Sequence, residues 1–179
     1  MTDLLLVRPP GRRGPTLLPP LGLLYVAAAA REAGYSVALI DAAAEGIDAV
    51  ELRRRCAAIK ARVLALGGCS PLVLETLDAA NKLRGTADAI VVGGPMVGPG
   101  FRDLLDEVPG VDAAVVGEAE ATMGPLLAWL DTGRAAPPPR GVITRDHDLR
   151  PHPPTDAIDD LPPPARDLVD PHWYRYPVA

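Results

Sequence analysis

Residues 63–68 read VLALGG, four apolar residues followed by two glycines, and residues 89–94 read AIVVGG. A segment that is apolar at every position predicts a strand buried on both faces, as in a parallel sheet covered by helices. Three other segments have the same character: LLLV at 4–7, SVALID at 36–41 and AAVVG at 113–117. The sequence therefore predicts five buried, parallel strands.

The segments between these strands are long enough for the helical crossovers that parallel strands require. Asp48 and Glu51 have the spacing of a capping box ahead of an amphipathic stretch. Gly34 and Gly133 follow the first and last predicted helices, where a left-handed stop residue belongs. The alternation predicts an α/β fold: a five-stranded, doubly wound parallel sheet with helices on both faces.

The composition changes after the last predicted helix. Eleven of the 21 prolines lie between Pro137 and Pro177, and proline supplies no donor to a sheet and disfavours helix in the residue before it. We therefore assign residues 1–134 to one α/β domain and residues 135–179 to a proline-rich extension. Within the extension, GVITR at 141–145 is predicted as a short strand at the sheet edge.

Bulk composition excludes several classes of protein. A net charge of -5 argues against a nucleic-acid binder. No apolar run reaches the roughly 18 residues that a membrane span needs, and the first residues do not resemble a signal peptide, so we expect a cytoplasmic protein without a membrane partner. Cys56 and Cys69 are too few for a metal or iron–sulfur cluster.

The loops after the predicted strands indicate where a ligand would bind. In a doubly wound sheet the ligand crevice lies beyond the carboxyl ends of the strands, where the strand order reverses. The loop after the first strand, RPPGRRGPTLLPPLG, is unusually long, and the later strands run into GGCSPL, GGPMVGPG and GEAEA. Glycine lets a ligand approach the backbone closely, so these loops predict a large ligand. The alternative is that the glycine pairs only form tight turns.

Three familiar ligand classes fit these loops poorly. A dinucleotide site needs G-x-G-x-x-G directly after the first strand, and the sequence there is PPGRRG. A phosphate loop needs G-K-[ST], whereas the only lysines are Lys60 and Lys82. A response-regulator receiver would carry acidic residues after the first strand and an aspartate after the third, and neither is present.

Several segments together resemble a known family. They are LLLVRPP, LPPLGLLYVAAAAREAGYSVALIDA, DAIVVGGP, VDAAVVGEAEATMGPLLAWL, GVITRD and IDDLPPPARDLVD, in this order from residue 4 to about residue 170. In this order they resemble the amino-terminal cobalamin-binding domain of cobalamin-dependent radical S-adenosylmethionine (SAM) proteins. The resemblance implies a flavodoxin-like Rossmannoid fold. It also implies a corrinoid over the strand ends, with its nucleotide tail beside the third and fourth strands.

The resemblance also implies which residues contact the cofactor. The implied contacts are Pro9, Pro10, Gly11, Leu21 and Gly22 in the first loop, Ser70, Pro71 and Leu72 after the third strand, Gly93, Gly94 and Pro95 after the fourth, and Gly117 and Glu118 after the fifth. Their implied roles are shape and contact, because cobalamin supplies the reactive cobalt. None is expected to be catalytic or to ligate a metal.

Two departures from related patterns refine the expectation. The first loop has no histidine, so we expect no histidine below the cobalt. The chain also has no C-x-x-x-C-x-x-C segment, so it is expected to hold no iron–sulfur cluster or SAM and not to be catalytic alone. Methyl transfer would then require a radical SAM domain or subunit, in cis or in trans, whether this chain is a standalone carrier or a truncated piece of a longer enzyme. The aromatic-rich end Trp173-Tyr174-Arg175-Tyr176 is expected to be exposed, either as a docking surface or as a frayed end left by truncation.

Two alternatives stay open on the sequence. One is an interaction module that kept the fold and lost the ligand. The other is a flavodoxin-like domain for a flavin or another nucleotide. The proline-rich first loop and the LPPPAR segment favour cobalamin over a flavin.

Overall fold

The fold is taken from a computed structural model, which describes residues 2–11, 17–68, 72–151 and 158–175. Ser70, Pro71, Cys69 and Tyr176, about which the sequence made predictions, lie outside the described residues. No helix within the described ranges is long and apolar enough to span a bilayer.

The described residues form one six-stranded sheet with the order β2-β1-β3-β4-β5-β6. The strands are β1 (Leu4–Arg8), β2 (Val37–Asp41), β3 (Val63–Gly67), β4 (Ala89–Gly93), β5 (Ala113–Val115) and β6 (Val142–Ile143). The first five pair in parallel, and β6 pairs antiparallel with β5. The predicted doubly wound α/β fold is confirmed, with six strands instead of five.

The sixth strand lies within the predicted segment 141–145 and extends the sheet edge. Its two residues, Val142 and Ile143, are buried on opposite faces of the sheet. Two apolar residues in extended backbone are therefore enough to complete both cores, even in a proline-rich part of the chain.

Six α-helices cover the two faces of the sheet in the described residues. They are α1 (Leu21–Glu32), α2 (Ala42–Glu45), α3 (Ala49–Ile59), α4 (Val73–Leu83), α5 (Arg102–Glu107) and α6 (Ala119–Asp131). Helices α1 and α6 contribute to one apolar cluster, and α2 to α5 contribute to the other. Asp48 caps α3 as predicted, because its side chain accepts hydrogen bonds from the backbone N–H groups of Val50 and Glu51.

Successive side chains of β1 point to opposite faces of the sheet and so pack into two separate apolar cores. Leu4 and Leu6 pack under α1 and α6, whereas Leu5 and Val7 pack under the helices opposite. Because β2 and β3 lie on either side of β1, the strand order reverses next to β1. The crevice expected for a ligand therefore lies above the carboxyl ends of β1 and β3.

The segment 158–175 folds back onto the domain. Ala165 is buried against α1 and donates a backbone hydrogen bond to Leu24 O at 3.0 Å. Asp167 forms an ion pair with Arg31 at 2.9 Å. The prediction that the aromatic end is exposed is wrong for Tyr174, which is buried. Burial suits this tyrosine because its hydroxyl has a partner inside the fold, described below.

Candidate functional site

A cavity of about 1010 Å³ opens at the carboxyl ends of β1, β3, β4 and β5. This volume lies at the upper limit of roughly 300–1,000 Å³ that is typical for small-molecule sites. Arg8, Gly67 and Gly93 are the last residues of three of these strands, and all three line the cavity. The cavity is therefore where a doubly wound sheet binds its ligand, and it is sized for a large one.

One wall of the cavity runs along the face of the sheet that α1 and α6 cover. Leu6, Ala65 and Val91 line this wall and are successive neighbours across β1, β3 and β4. Val26 of α1 and Met123 of α6 face the same space. Ala65 is the smallest side chain of the row, so room is left beside the third and fourth strands.

The structure brings most of the predicted contact residues together. Those that line the cavity are Pro9, Gly11, Leu21, Gly22, Leu72, Gly93, Gly94, Pro95, Gly117 and Glu118. Pro10 does not line it, and Ser70 and Pro71 lie outside the described residues. The four loops of the prediction thus reach one cavity.

Sequence reasoning missed the deeper part of the wall. The cavity residues absent from the prediction include Leu17, Leu23, Val26, Ala65, Thr76, Val115 and Met123. These belong to strand interiors, to helix faces or to the end of the first loop. Their only sequence signal is the apolar pattern that all core residues share.

Two of the glycines at the strand ends are required by the packing of the protein itself. Gly94 has φ +97°, and a Cβ there would lie 2.5 Å from the carbonyl oxygen of Gly68. A Cβ on Gly68 would lie 2.6 Å from Thr76 Oγ1 and 2.7 Å from Met96 Sδ. Packing inside the protein therefore accounts for glycine at both positions, and at Gly94 the positive φ adds a turn requirement.

Gly22 lies in a different environment. It is the second residue of α1 and lines the cavity, and a Cβ there would meet no atom of the described residues within 4 Å. Its φ lies outside the left-handed region that favours glycine, so neither the backbone nor the described packing explains this residue. The space beside Gly22 is available to a ligand.

The charged residues around the cavity are mostly acidic. Glu75, Glu118 and Glu120 line it, with Arg8 as the basic residue among the described lining positions. Burial, and to a smaller extent the charge of Glu118, raise the pKa of the Glu120 carboxyl. This surface suits ligand groups that donate hydrogen bonds better than it suits an additional anion.

A buried polar network stands behind the first loop. Asp41 is fully buried; its Oδ1 accepts a hydrogen bond from Ala44 N at 3.0 Å, and its Oδ2 accepts one from the Tyr174 hydroxyl at 3.0 Å. Arg8 Nη1 lies 3.4 Å from Asp41 Oδ2 and donates to Leu18 O at 2.9 Å. Burial and the Asp41 carboxylate raise the pKa of Tyr174, so its O–H remains a donor at neutral pH.

No group of three or more His, Cys, Asp or Glu side chains capable of holding a metal ion occurs among the described residues. Cys56 is buried, and burial raises the pKa of its thiol to about 11. It is therefore a packing residue and not a nucleophile.

Comparison with known proteins identifies the family to which this chain belongs. The family model of the B12 binding domain matches residues 11–127. The chain belongs to the B12-binding domain family. The match begins in the first loop and ends within α6, and so includes the loops after β3, β4 and β5 that line the cavity.

Curated relatives support this assignment. The B12-binding domain is 32% identical over 151 residues to an anaerobic magnesium-protoporphyrin IX monomethyl ester cyclase of Synechocystis, covering 80% of this chain and 30% of that protein. It is 27% identical over 163 residues to an uncharacterized methyltransferase of Pyrococcus horikoshii, covering 88% of this chain and 35% of that protein. The chain thus spans about a third of the length of these relatives.

Solved structures show the same fold. The B12-binding domain is similar to the cobalamin-dependent SAM radical enzyme OxsB with aqua-cobalamin and SAM bound, with TM-score 0.71, 17% identity and coverage of 94% of this chain and 24% of that chain. It is also similar to the radical SAM methyltransferase TsrM of Kitasatospora setae with cobalamin and a [4Fe-4S] cluster bound, with TM-score 0.65, 21% identity and coverage of 80% and 29%. The resemblance to the cobalamin-binding domain of cobalamin-dependent radical SAM proteins is confirmed.

Proposed function

We propose that this chain binds cobalamin in the cavity at the carboxyl ends of the strands, as the cobalamin domain of a radical SAM methyltransferase-type system. The observation that carries the proposal is the large cavity at the point of strand-order reversal. It is lined by the loops after β3, β4 and β5, which the family model matches in full, and by the first loop, which the model matches in part. The similar structures of OxsB and TsrM were solved with cobalamin bound.

The cavity wall fits a large, flat ligand. Within the described part of the chain, a Cβ at Gly11, Gly22 or Gly117 meets no atom within 4 Å. All three line the cavity. A corrinoid is broad and carries neutral amide groups on its rim, which can donate hydrogen bonds to carboxylates such as Glu118 and to backbone carbonyls.

The row formed by Leu6, Ala65 and Val91 would contact the nucleotide tail of the cofactor. It lies below the strand ends, next to β3 and β4. Apolar side chains at this depth exclude water and add hydrophobic contact. The small side chain of Ala65 is what leaves the space.

We also propose that no protein nitrogen binds the lower face of the cobalt. Histidine occurs only at positions 147, 152 and 172, and none of the described residues that line the cavity is a histidine. His147 lies in the turn after β6, where its Nδ1 is 3.3 Å from Thr144 Oγ1. Directly after β1, Pro9 and Gly11 line the cavity, and neither has a side chain that can ligate cobalt.

The chemistry of methyl transfer would come from the cofactor, whose cobalt accepts and donates a methyl group. The residues of this chain would bind the cofactor, orient it over the sheet and keep water from the apolar wall. A radical SAM domain or subunit, in cis or in trans, would complete the enzyme. Leu18 and Leu21, which are 50% and 45% exposed beside the cavity, offer an apolar surface for such a partner.

The test is retention of cobalamin by the purified chain. We expect hydroxocobalamin to remain bound after desalting at about one molecule per chain, with an absorption spectrum that shows no nitrogen ligand below the cobalt. A parallel titration with FMN is expected to leave no flavin on the protein. Failure of a folded chain to retain cobalamin, with or without a radical SAM partner, would support the interaction-module alternative, and retention of FMN would support the flavin alternative.

A further inference from the structure

The last two described residues of the segment 158–175 contact residues next to or at the edge of the cavity, although they do not line it themselves. Arg175 forms an isolated antiparallel bridge with Leu17, in which Leu17 N donates to Arg175 O at 3.0 Å and Arg175 N donates to Leu17 O at 2.9 Å. Leu17 lines the cavity. A residue near the end of the chain is therefore paired with the loop that forms one side of the site.

The adjacent tyrosine makes a second connection to the same loop. The Tyr174 hydroxyl donates to Asp41 Oδ2, the carboxylate that also lies next to Arg8. Arg8 in turn donates to Leu18 O and lines the cavity. Tyr174 and Arg175 thus hold Leu17 and Leu18 from two directions, one through the backbone and one through the buried carboxylate.

We infer that Tyr174 is a positioning residue for the cofactor site: by fixing Leu17 and Leu18 at the edge of the cavity, it slows the release of bound cobalamin. The inference rests on the proposed function and adds a specific role for the carboxyl-terminal segment. Coupling of this kind is reciprocal. Bound cobalamin is therefore expected to stabilise the pairing between Leu17 and Arg175.

The test compares two variants that each remove one anchor of the segment. Tyr174→Phe keeps the ring and removes the hydrogen bond to Asp41. Asp167→Asn breaks the ion pair with Arg31, which joins the segment to α1 outside the cavity lining. Both variants loosen the segment, but only the first acts on the network that reaches the cavity.

We expect the dissociation rate of cobalamin to rise about tenfold in Tyr174→Phe, the order of effect of losing one hydrogen bond to a buried charge, and less than about twofold in Asp167→Asn. In the wild-type chain, added cobalamin should slow hydrogen exchange at the amides of Leu17 and Arg175. Equal dissociation rates in the two variants would overturn the inference while leaving the proposed function intact. Absence of cobalamin binding by the wild-type chain would overturn both.

Discussion

Replacing Gly22 with leucine is expected to abolish retention of cobalamin and to leave the chain folded. No atom of the residues that the structure describes lies within 4 Å of a Cβ built on Gly22, and this residue lines the cavity. A leucine side chain would occupy that space, and we expect the affinity for cobalamin to fall by about 100-fold or more, equivalent to roughly 2.7 kcal/mol. The free energy of unfolding should be unchanged or higher by up to about 1 kcal/mol, because leucine favours helix over glycine.

The matched control for this change is Gly98→Leu. A Cβ at Gly98 also meets no described atom within 4 Å, the Gly98 φ of -118° suits any residue, and Gly98 does not line the cavity. Equilibrium binding measured on the three proteins separates ligand exclusion from a general effect of an added leucine. Wild-type affinity in Gly22→Leu would mean that cobalamin does not use this wall.

Replacing Gly94 with alanine is expected to give the largest loss of stability among single changes at the site. The residue has φ +97°, and a Cβ would lie 2.5 Å from the carbonyl oxygen of Gly68, which is backbone and cannot rotate away. Strain at the dihedral angle and separation of the two loops should together lower the free energy of unfolding by about 3 kcal/mol or more.

Urea unfolding measures this loss, with Gly98→Ala as the control expected to lie within about 0.5 kcal/mol of wild type. The backbone hydrogen bond from Gly68 N to Gly93 O, at 3.2 Å, connects the same two loops. Stability equal to wild type in Gly94→Ala would show that the loops after β3 and β4 do not meet as closely as described.

The fold was predictable because its parallel strands are short and almost continuously apolar, and β1, β3, β4 and β5 are buried along nearly their whole length. The predicted segment 63–68 contains β3, which is Val63–Gly67, and 89–94 contains β4, which is Ala89–Gly93. The sixth strand was harder to predict because two residues give no period, and its place is set by pairing with β5 and not by local preference.

The loops of the site could also be found from the sequence, because parallel strands bring their carboxyl ends to one edge of the sheet. What each glycine does there could not be found in this way. Gly94 and Gly22 look alike in sequence, yet one is fixed by a backbone contact and the other faces open space. Only the positions of neighbouring loops distinguish them.

The role of the carboxyl-terminal segment depends on contacts that no local pattern reveals. Tyr174 and Asp41 are 133 residues apart in sequence, and their hydrogen bond is buried. Aromatic residues are enriched at protein interfaces, and this general tendency led to the wrong sequence prediction for Tyr174, which is buried. A buried carboxylate needs hydrogen-bond donors, and one of the donors to Asp41 is the distant Tyr174.

The most direct test of cobalamin binding in this cavity is hydrogen–deuterium exchange of the wild-type chain with and without hydroxocobalamin. We expect slower exchange in the segments that surround the cavity, which are residues 8–11, 17–26, 67–68, 93–97 and 117–123, and no change in α3. Unchanged exchange throughout a folded chain, or protection confined to the opposite end of the sheet, would contradict cobalamin binding in this cavity.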